Sequence, residues 1–310
     1  MQLNDKFEIL QNPGFEFWEE HLANFYKYEG WTYSKHDFNS WKAAFGDRAN
    51  LFVLVEKDTK KYIGGVFSAT YTSPKLLAVG MYFLLPEYRG LGLGLPLWDR
   101  GIAGDVENKA LIAVEKMSPK YAIRDGFDKI IEWDLKKISI QIKDVDSTKL
   151  DIDTTLKTSN FKEVDFEKLM EFDRKITGGL ERAAYIKEFF TQPGAYNKVA
   201  ISQGGEILGY CNIRECYHNN LVVGPFYAQD LLTASTILQA VLESIPNLNN
   251  FEILKMAVPS SNSDAKKLFD ILSAGKCKID VKQFIQFTNH LVNIPGDKIY
   301  AFTDCTVSYA

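Results

Sequence analysis

A glycine-rich turn at residues 89–94 constrains the fold of this chain more than any other feature, because it lies between an apolar run and a helical pattern. The run Leu76–Leu85 is nearly continuous in apolar side chains, which is typical of a strand buried on both faces. Pro86 ends the run, and apolar residues at helical spacing then predict a helix over 95–108. Glycine lets the backbone approach a ligand closely, and a helix N-terminus leaves N–H groups unpaired. The turn therefore predicts an anion site that suits a diphosphate.

The spacing of the glycines excludes two of the three common phosphate-binding loops. The loop of ATPases and GTPases needs Lys-Ser or Lys-Thr after its last glycine, and neither follows here. The dinucleotide fingerprint Gly-x-Gly-x-x-Gly finds Leu95 or Leu97 at its last position. The pattern Arg-x-x-Gly-x-Gly does fit, as Arg89, Gly92 and Gly94. It resembles the acyl-CoA signature of the GCN5-related N-acetyltransferases, the GNAT superfamily.

In each half of the chain, the order of predicted elements resembles the fold of that superfamily. The first 140 residues read as a strand, two helices, three strands, a helix, a strand, a helix and a last strand, and the second half repeats most of this order. The implied fold is α/β, in the α+β sense of a mixed sheet, with tandem GNAT domains that each have a central, mostly antiparallel sheet flanked by helices. We predict an acyl-CoA domain at 1–142, a polar linker and domain start at 143–162, and a degenerate GNAT-like domain at 163–310.

Short segments in both halves resemble the two-domain, YitH-like branch of the superfamily. These segments are Glu29-Gly30-Trp31, Asp37-Phe38, the set Asp173, Gly179 and Arg182, and Gly224-Pro225-Phe226-Tyr227-Ala228. Where the first half has its glycine turn, the second half has Pro225–Asp230. An aspartate repels phosphate, and fewer glycines expose fewer amides. We therefore expect no standard coenzyme A site in the second half, which would instead wall the acceptor pocket, regulate the protein or dimerise it.

Composition excludes several other classes of function. The 310 residues carry a net charge of −4 and no dense basic cluster, so we expect no nucleic-acid partner. No apolar run is long enough to span a membrane, and we expect a cytoplasmic protein, a monomer or homodimer, without a membrane partner. The four cysteines and four histidines show no metal-ligand spacing, so we also expect no metal.

The resemblance implies direct transfer of an acyl group from acyl-CoA to an amine, without a covalent enzyme intermediate. It places the coenzyme on the end of the apolar strand and on the turn, with these candidate residues: Leu84, Leu85, Arg89, Gly90, Leu91, Gly92, Leu93 and Gly94. The Leu84 amide is the candidate donor to the oxyanion that forms on the thioester carbonyl.

The candidate proton-transfer residues follow from position. Where the family often has a tyrosine the chain has Ala122, and the neighbouring Tyr121 is the candidate acid, with core packing as the alternative interpretation. Glu115 is the candidate base, because partial burial near the opening between strands would raise its pKa. A surface salt bridge is the alternative for Glu115. Glu29 is the second candidate base, and Trp31 would form a wall of the acceptor pocket.

These residues predict an acyl-CoA-dependent N-acyltransferase with acetyl-CoA, or another acyl-CoA, as co-substrate and a small amine or amino acid as acceptor. A non-catalytic acyl-CoA-binding or sensing protein fits the turn equally well, and the displaced tyrosine favours that alternative. A protein acetyltransferase is a third hypothesis, although no dense acidic run marks a groove for a basic substrate tail.

Overall fold

The computed structural model describes residues 5–310 and contains fourteen strands and eight α-helices in that range. The strands are β1 (Phe7–Gln11), β2 (Ala49–Glu56), β3 (Tyr62–Thr72), β4 (Lys75–Leu84), β5 (Asn108–Val114), β6 (Lys129–Ile130), β7 (Leu135–Gln141), β8 (Lys157–Ser159), β9 (Ala195–Ile201), β10 (Ile207–Cys216), β11 (Asn220–Ala228), β12 (Ile253–Pro259), β13 (Lys278–Phe287) and β14 (Ile299–Ala301). The helices are α1 (Phe15–Glu29), α2 (Asp37–Phe45), α3 (Gly94–Gly101), α4 (Ser118–Asp125), α5 (Phe166–Ile176), α6 (Ala183–Thr191), α7 (Leu231–Glu243) and α8 (Ser263–Leu272). None of these helices is long and apolar enough to cross a membrane.

All strands belong to one continuous mixed sheet, which confirms the predicted fold class. The main path runs β1-β2-β3-β4-β5-β13-β7-β12-β11-β10-β9-β8, while β6 and β14 pair beside it. Two pairs on this path, β4 with β5 and β11 with β12, are parallel, and the others are antiparallel. Read inward from either edge, the sheet therefore has five strands in chain order (β1 to β5, or β8 to β12), followed by a strand of the other half. A structural duplication requires this correspondence.

The two halves exchange their last long strands at the centre of the sheet. Strand β13, from the second half, pairs with β5 of the first half, from Gln283 opposite Val114 to Phe287 opposite Ala110. Strand β7, from the first half, pairs along its whole length with β12 of the second half. The predicted boundaries at 142 and 163 remain predictions, and the pairing shows that each half completes its sheet with a strand of the other.

The helices cover the sheet unequally on its two faces. On one face, α1, α2, α5 and α6 share a single hydrophobic core that extends across both halves. On the other face, α3 and α4 cover the first half, and α7 and α8 cover the second half, each over its own cluster. The shared core on the first face therefore holds the halves together. On the second face each half has its own helix pair and its own hydrophobic cluster.

Most predicted elements are present, and one prediction about the helix after the turn is wrong. Helix α3 ends at Gly101 and does not reach residue 108. Gly101 lets the helix pack on β3, because a Cβ there would lie 2.7 Å from a methyl carbon of Val66. This glycine and Gly104 lower the helix propensity of the segment, so the chain turns away toward β5. The polar stretch 143–162 also contains the short edge strand β8.

Candidate active site

The strands β4 and β5 separate and leave a cleft in the sheet. They pair in parallel only from Leu76–Val79 opposite Asn108–Leu111. Beyond Val79, β4 remains paired with β3, but its register shifts at a bulge where Met81 has a φ of 56°. A bulge bends its strand and increases the local twist. The result is a cavity of about 300 Å³ between the diverging strands.

The cavity passes from one face of the sheet to the other. On the α3 and α4 side its wall includes Trp98 and Tyr121, and on the α1 side it includes Phe25 and Trp31. Gly90 and Gly94 of the turn lie at its mouth. Each face of the sheet can therefore contribute side chains to a different molecule, which suits a transfer between two substrates.

The predicted anion turn has the backbone geometry that its sequence indicated. Gly90 and Gly92 have φ values of 81° and 77°, in the left-handed region that favours glycine. Among the described residues, none accepts a hydrogen bond from the amides of residues 90–94. Helix α3 begins at Gly94, directly after the turn. These amides and the positive end of the helix dipole therefore remain available to an anion.

Arg89 lies at the mouth of the cavity and is also exposed to solvent. Its Nε donates to the Leu84 carbonyl at 2.8 Å, and one of its terminal nitrogens lies 3.1 Å from the Glu29 carboxylate. Its guanidinium also lies 5.2 Å from the centroid of the Phe83 ring. Arg89 thus brings a permanent positive charge to the mouth of the cavity and connects the turn to Glu29.

Of the two predicted backbone residues, Leu84 is the one whose amide faces the cleft. The Leu85 N–H donates to the Ile63 carbonyl of β3 at 2.8 Å and is already used by the sheet. Leu84 is the residue before it, the last of β4, and pairs with Gly64. Because N–H groups alternate in direction along an antiparallel pair, the Leu84 amide points away from β3. Leu85 is buried outside the cavity lining, and Leu84 lines it.

Tyr121 lies in the cavity wall, stacked on Trp98 with ring centroids 4.6 Å apart. Burial raises the pKa of Tyr121 well above its usual value, so the phenol is protonated and can donate at neutral pH. Tyr82 is a second phenol in the same wall, where burial raises its pKa to about 12. A Cβ on Gly94 would lie 2.2 Å from Tyr82 Oη, which shows how closely β4 approaches the start of α3.

The two candidate bases lie in different places. Glu115 follows β5 at the surface, exposed and outside the cavity lining, so the partial burial that we expected for it is wrong. Its charge acts on Lys282, whose pKa is raised first by a hydrogen bond to Asp134 and also by Glu115. Glu29 does line the cavity, next to Trp31. Within the described part of the chain, Glu29 is the one carboxylate in this lining.

Two residues near the α1 side of the cavity were not predicted from the sequence. The Lys137 ammonium lies 2.9 Å from the centroid of the Trp31 ring, and burial lowers the pKa of Lys137 to about 7. Cys305 lines the cavity, and burial raises the pKa of its thiol to about 11. Lys137 lies on the exchanged strand β7, and Cys305 lies far along the chain, so no local pattern connects either residue with the turn.

The corresponding cleft in the second half is filled by the chain itself. Strands β11 and β12 pair only from Asn220–Val222 opposite Ile253–Lys255 and then separate. Strand β14 occupies the gap by pairing with β11 at Phe226 and Tyr227. The side chain of Asp230 accepts from the Thr233 amide at 2.8 Å and caps the start of α7. At the position that corresponds to the first cleft, the described second half therefore has neither a gap between the strands nor an uncapped helix N-terminus.

The chain matches known proteins in both sequence and fold. Residues 169–281 match the family described as Acetyltransferase (GNAT) domain. A putative acetyltransferase from Pyrococcus horikoshii aligns over 99% of this chain and 98% of its own, with a TM-score of 0.69 and 14% identity. Residues 169–281 thus match a GNAT domain in sequence, and the whole chain has the fold of GNAT proteins. Its match to the YitH-like branch remains a prediction.

Two further structures bear on the arrangement of the two halves. A tandem GNAT protein from the clavulanic acid biosynthesis pathway aligns over 91% of this chain and 98% of its own, with a TM-score of 0.65 and 13% identity. N-myristoyltransferase from Saccharomyces cerevisiae, solved with bound myristoyl-CoA, aligns over 95% of this chain and 85% of its own, with a TM-score of 0.59 and 11% identity. At these identities the likeness shows a shared fold, a large mixed sheet flanked by helices that fits a two-domain GNAT protein.

Proposed function

We propose that this protein is an acyl-CoA-dependent N-acyltransferase that acts on a small amine. The observation that carries the proposal is the cleft between β4 and β5, with the unpartnered amides of residues 90–94 at its mouth. The diphosphate of coenzyme A would lie on these amides and on the N-terminus of α3. The thioester would then extend into the cleft along the free edge of β4.

The transfer requires one bond to form and one to break at the thioester carbon. The neutral amine attacks the carbonyl carbon, and the C–N bond forms while the carbonyl oxygen becomes an oxyanion. The Leu84 amide points into the cleft and would donate a hydrogen bond to that oxyanion. The C–S bond then breaks, and the leaving thiolate takes a proton. The products are the acylated amine and free coenzyme A.

The cavity wall supplies candidates for both proton transfers. Glu29 lines the side that faces α1 and would accept the proton of the attacking amine, directly or through a water molecule. The phenols of Tyr121 and Tyr82 line the opposite side. Both phenols have raised pKa values because they are buried, so either could donate a proton to the thiolate. Glu115 has no role in this scheme, because its side chain lies outside the cavity.

The acceptor side has contributions from both halves of the chain. Trp31 comes from the loop after α1, whereas Lys137 and Lys255 lie on β7 and β12 in the centre of the sheet. Lys255 donates to the Thr32 hydroxyl at 2.7 Å, which places β12 against the same loop. This arrangement supports the prediction that the second half helps to wall the acceptor pocket.

Binding and turnover test the proposal separately. Coenzyme A and acetyl-CoA should each raise the Tm of the purified full chain, because a ligand that binds the folded state stabilises it. Release of free thiol in the presence of an amine library should then identify acceptors. Binding without thiol release for any amine would support the sensing alternative instead. No binding of any acyl-CoA would reject the proposal.

A further inference from the structure

Two lysines lie on the α1 face of the sheet, beside the cavity and outside its lining. Lys137 of β7 pairs with Ala257 of β12, and Lys255 lies two residues before Ala257. Because side chains two residues apart on a strand share a face, both lysines lie on the same face. Both also reach the loop after α1, where Lys137 contacts the Trp31 ring and Lys255 donates to the Thr32 hydroxyl. The two halves of the chain thus each bring a cation to this side of the cleft.

Lys137 is a cation without a counter-ion. Its ammonium lies over the Trp31 ring and, within residues 5–310, has neither an ion pair nor a hydrogen bond. Lys255 is a like charge nearby, and Asp280 is an acid whose charge acts on both lysines. Asp280 is exposed and accepts a hydrogen bond from the Ser139 hydroxyl at 3.0 Å. Two cations and one carboxylate leave an excess of one positive charge.

An unpaired amide donor lies on the same face of the sheet. Gln283 of β13 is opposite Leu135 of β7, which makes it a diagonal neighbour of Lys137 on that face. Gln283 is fully buried, and its Oε1 accepts a weak hydrogen bond from the Cys305 thiol, whose Sγ is 3.8 Å away. Its Nε2 has no hydrogen-bond partner in the described part of the chain. Because Cys305 lines the cavity, this free donor lies next to the cavity wall.

The chemistry of this group selects a ligand with one negative charge. An unpaired ammonium and an unpaired amide each cost free energy, because both have lost hydrogen bonds to water. A carboxylate accepts hydrogen bonds and has the single charge that would balance the excess. A phosphate ester carries nearly two negative charges at neutral pH and would exceed it. Lys137, Lys255 and Trp31 are each half-buried, so solvent and a small ligand can reach the group.

We propose that the acceptor of this enzyme is an amine that also carries a carboxylate, which Lys137 and Lys255 bind while the amine enters the cleft past Trp31. This inference rests on the proposed function and specifies the acceptor of the same site. Trp31 connects the two positions, since it lines the cavity and also has Lys137 on its ring. An amino acid has both groups, and its carboxylate would remain outside the cleft while its amine reacts.

Matched pairs of acceptors test the inference on the full chain. Thiol release from acetyl-CoA is measured with phenylalanine, leucine and β-alanine, with the amide of each, and with phosphoethanolamine. Each acid that is consumed should have a kcat/KM at least about tenfold above that of its amide, because the amide offers no charge to the lysines. The amide has the less basic amine, so a larger neutral fraction would favour it if the carboxylate were not recognised.

The outcomes of this series separate the inference from the proposed function. Amides or simple alkylamines consumed as well as the acids, or better, would overturn the inference and leave the proposed function intact. A higher kcat/KM for phosphoethanolamine than for β-alanine would overturn the assignment of a carboxylate. Failure of every amine to release thiol would reject the proposed function.

Removal of one charge gives a sharper test. Lys137→Met should lower the kcat/KM of the preferred acid at least about tenfold, mainly through KM, and should leave that of its amide within about twofold. Lys136→Met is the matched control, because Lys136 is the preceding residue of β7, is exposed and lies on the opposite face. It should change neither value. Equal losses for the acid and its amide in Lys137→Met would show that Lys137 does not bind the carboxylate.

Proton uptake gives a readout that a purely structural role would not change. Burial lowers the pKa of Lys137 to about 7, Lys255 lowers it further, and Cys305 and Asp280 raise it. A bound carboxylate would raise this pKa, since an opposite charge favours the ammonium. The probe is the deaminated analogue of the preferred acid (3-phenylpropanoate for phenylalanine), titrated at pH 8 in two buffers of different ionisation enthalpy. Binding should take up on the order of half a proton in the natural protein and none in Lys137→Met. No binding, or binding without uptake, would contradict the contact with Lys137.

Discussion

The two halves of the molecule contain the same cleft, but only the first half leaves it open. In the first half, β4 and β5 pair over four residues and then enclose a cavity. In the second half, β11 and β12 pair over three residues, and β14 fills the space beyond. Helix α3, which follows β4, has no side-chain cap at its N-terminus. Helix α7, which follows β11, is capped by Asp230. The comparison shows that the fold supplies a cleft and that later segments decide whether it becomes a site.

One segment near residue 303 contributes both to the filling of the second cleft and to the partial covering of the first. In the second half it lies so close to β11 that a Cβ on Gly224 would be 1.8 Å from the Phe302 carbonyl oxygen. A few residues later the same segment passes Gly80 of β4. There it covers only the end of the first cleft where β4 and β5 begin to separate. A glycine on each strand thus allows the contact, while the position of the segment determines how much of each cleft remains.

The largest expected effect is on the contact between the halves. Each half has a buried aspartate in an ion pair, and only one of these pairs joins the two halves. Asp173 pairs with Arg182 in its own half at 2.6 Å, whereas Asp37 of α2 pairs with Arg214 of β10. Asp37→Ala would leave the Arg214 guanidinium buried without its partner and should cost about 3–5 kcal/mol in the free energy of unfolding. Chemical denaturation measures this loss. Asp37→Ala with Arg214→Met should recover part of it; a double variant as unstable as the sum of the single changes would refute the coupling.

The next prediction tests the open cleft directly. Gly92→Asp places a negative charge at the expected diphosphate position and should weaken coenzyme A binding by at least about 100-fold, since apposed like charges cost several kcal/mol. Gly275→Asp is the matched control, because Gly275 has the same φ of 77° at a position outside the cavity. The Gly275→Asp variant should have the same backbone strain and keep its affinity for coenzyme A. Comparable binding by the two variants in calorimetry would remove the turn from the site.

Lys137 should make the stability of the protein depend on pH. Its pKa is about 7 in the folded protein because of burial, and about 10.4 in an unfolded chain. Between these values the unfolded state binds more protons, so this residue makes the free energy of unfolding rise with pH. Below pH 7 the ammonium is charged in both states, and the full cost of its burial remains.

Lys137→Met should therefore be more stable than the natural protein at pH 6, by on the order of 2 kcal/mol after allowance for solvent screening. The advantage should shrink between pH 7 and pH 10. Thermal unfolding at a series of pH values measures both quantities. A constant difference across this range would show that Lys137 does not titrate as inferred.

The smallest expected effect tests the closed cleft. Asp230→Ala removes the cap of α7 and should cost about 1 kcal/mol of stability. It should not create a second coenzyme A site, because β14 still fills the gap between β11 and β12. Calorimetric titration of this variant should give the stoichiometry of the unaltered chain. A second binding event would mean that the aspartate, and not the filled cleft, had kept the coenzyme out.

Local pattern predicted much of this protein. The apolar run Leu76–Leu85 predicted β4 (Lys75–Leu84) to within one residue at each end, because apolar patterning and flanking turn residues act within a few positions. Helix α3 was predicted too long, because its end depends on packing against β3 that periodicity does not report. The exchange of β7 and β13 was not predicted at all, since either strand has the same pattern whichever neighbour it pairs with.

The sequence by itself determined the turn, because glycines at 90 and 92 and an arginine at 89 suffice to set a backbone that can receive an anion. Only the tertiary structure decided which side chains meet it. It brought Glu29, Trp31 and Cys305 to one cavity, and it left Glu115 at the surface. The physical reason is that backbone conformation is a local property, whereas burial and charge at a site depend on residues that are distant in the chain.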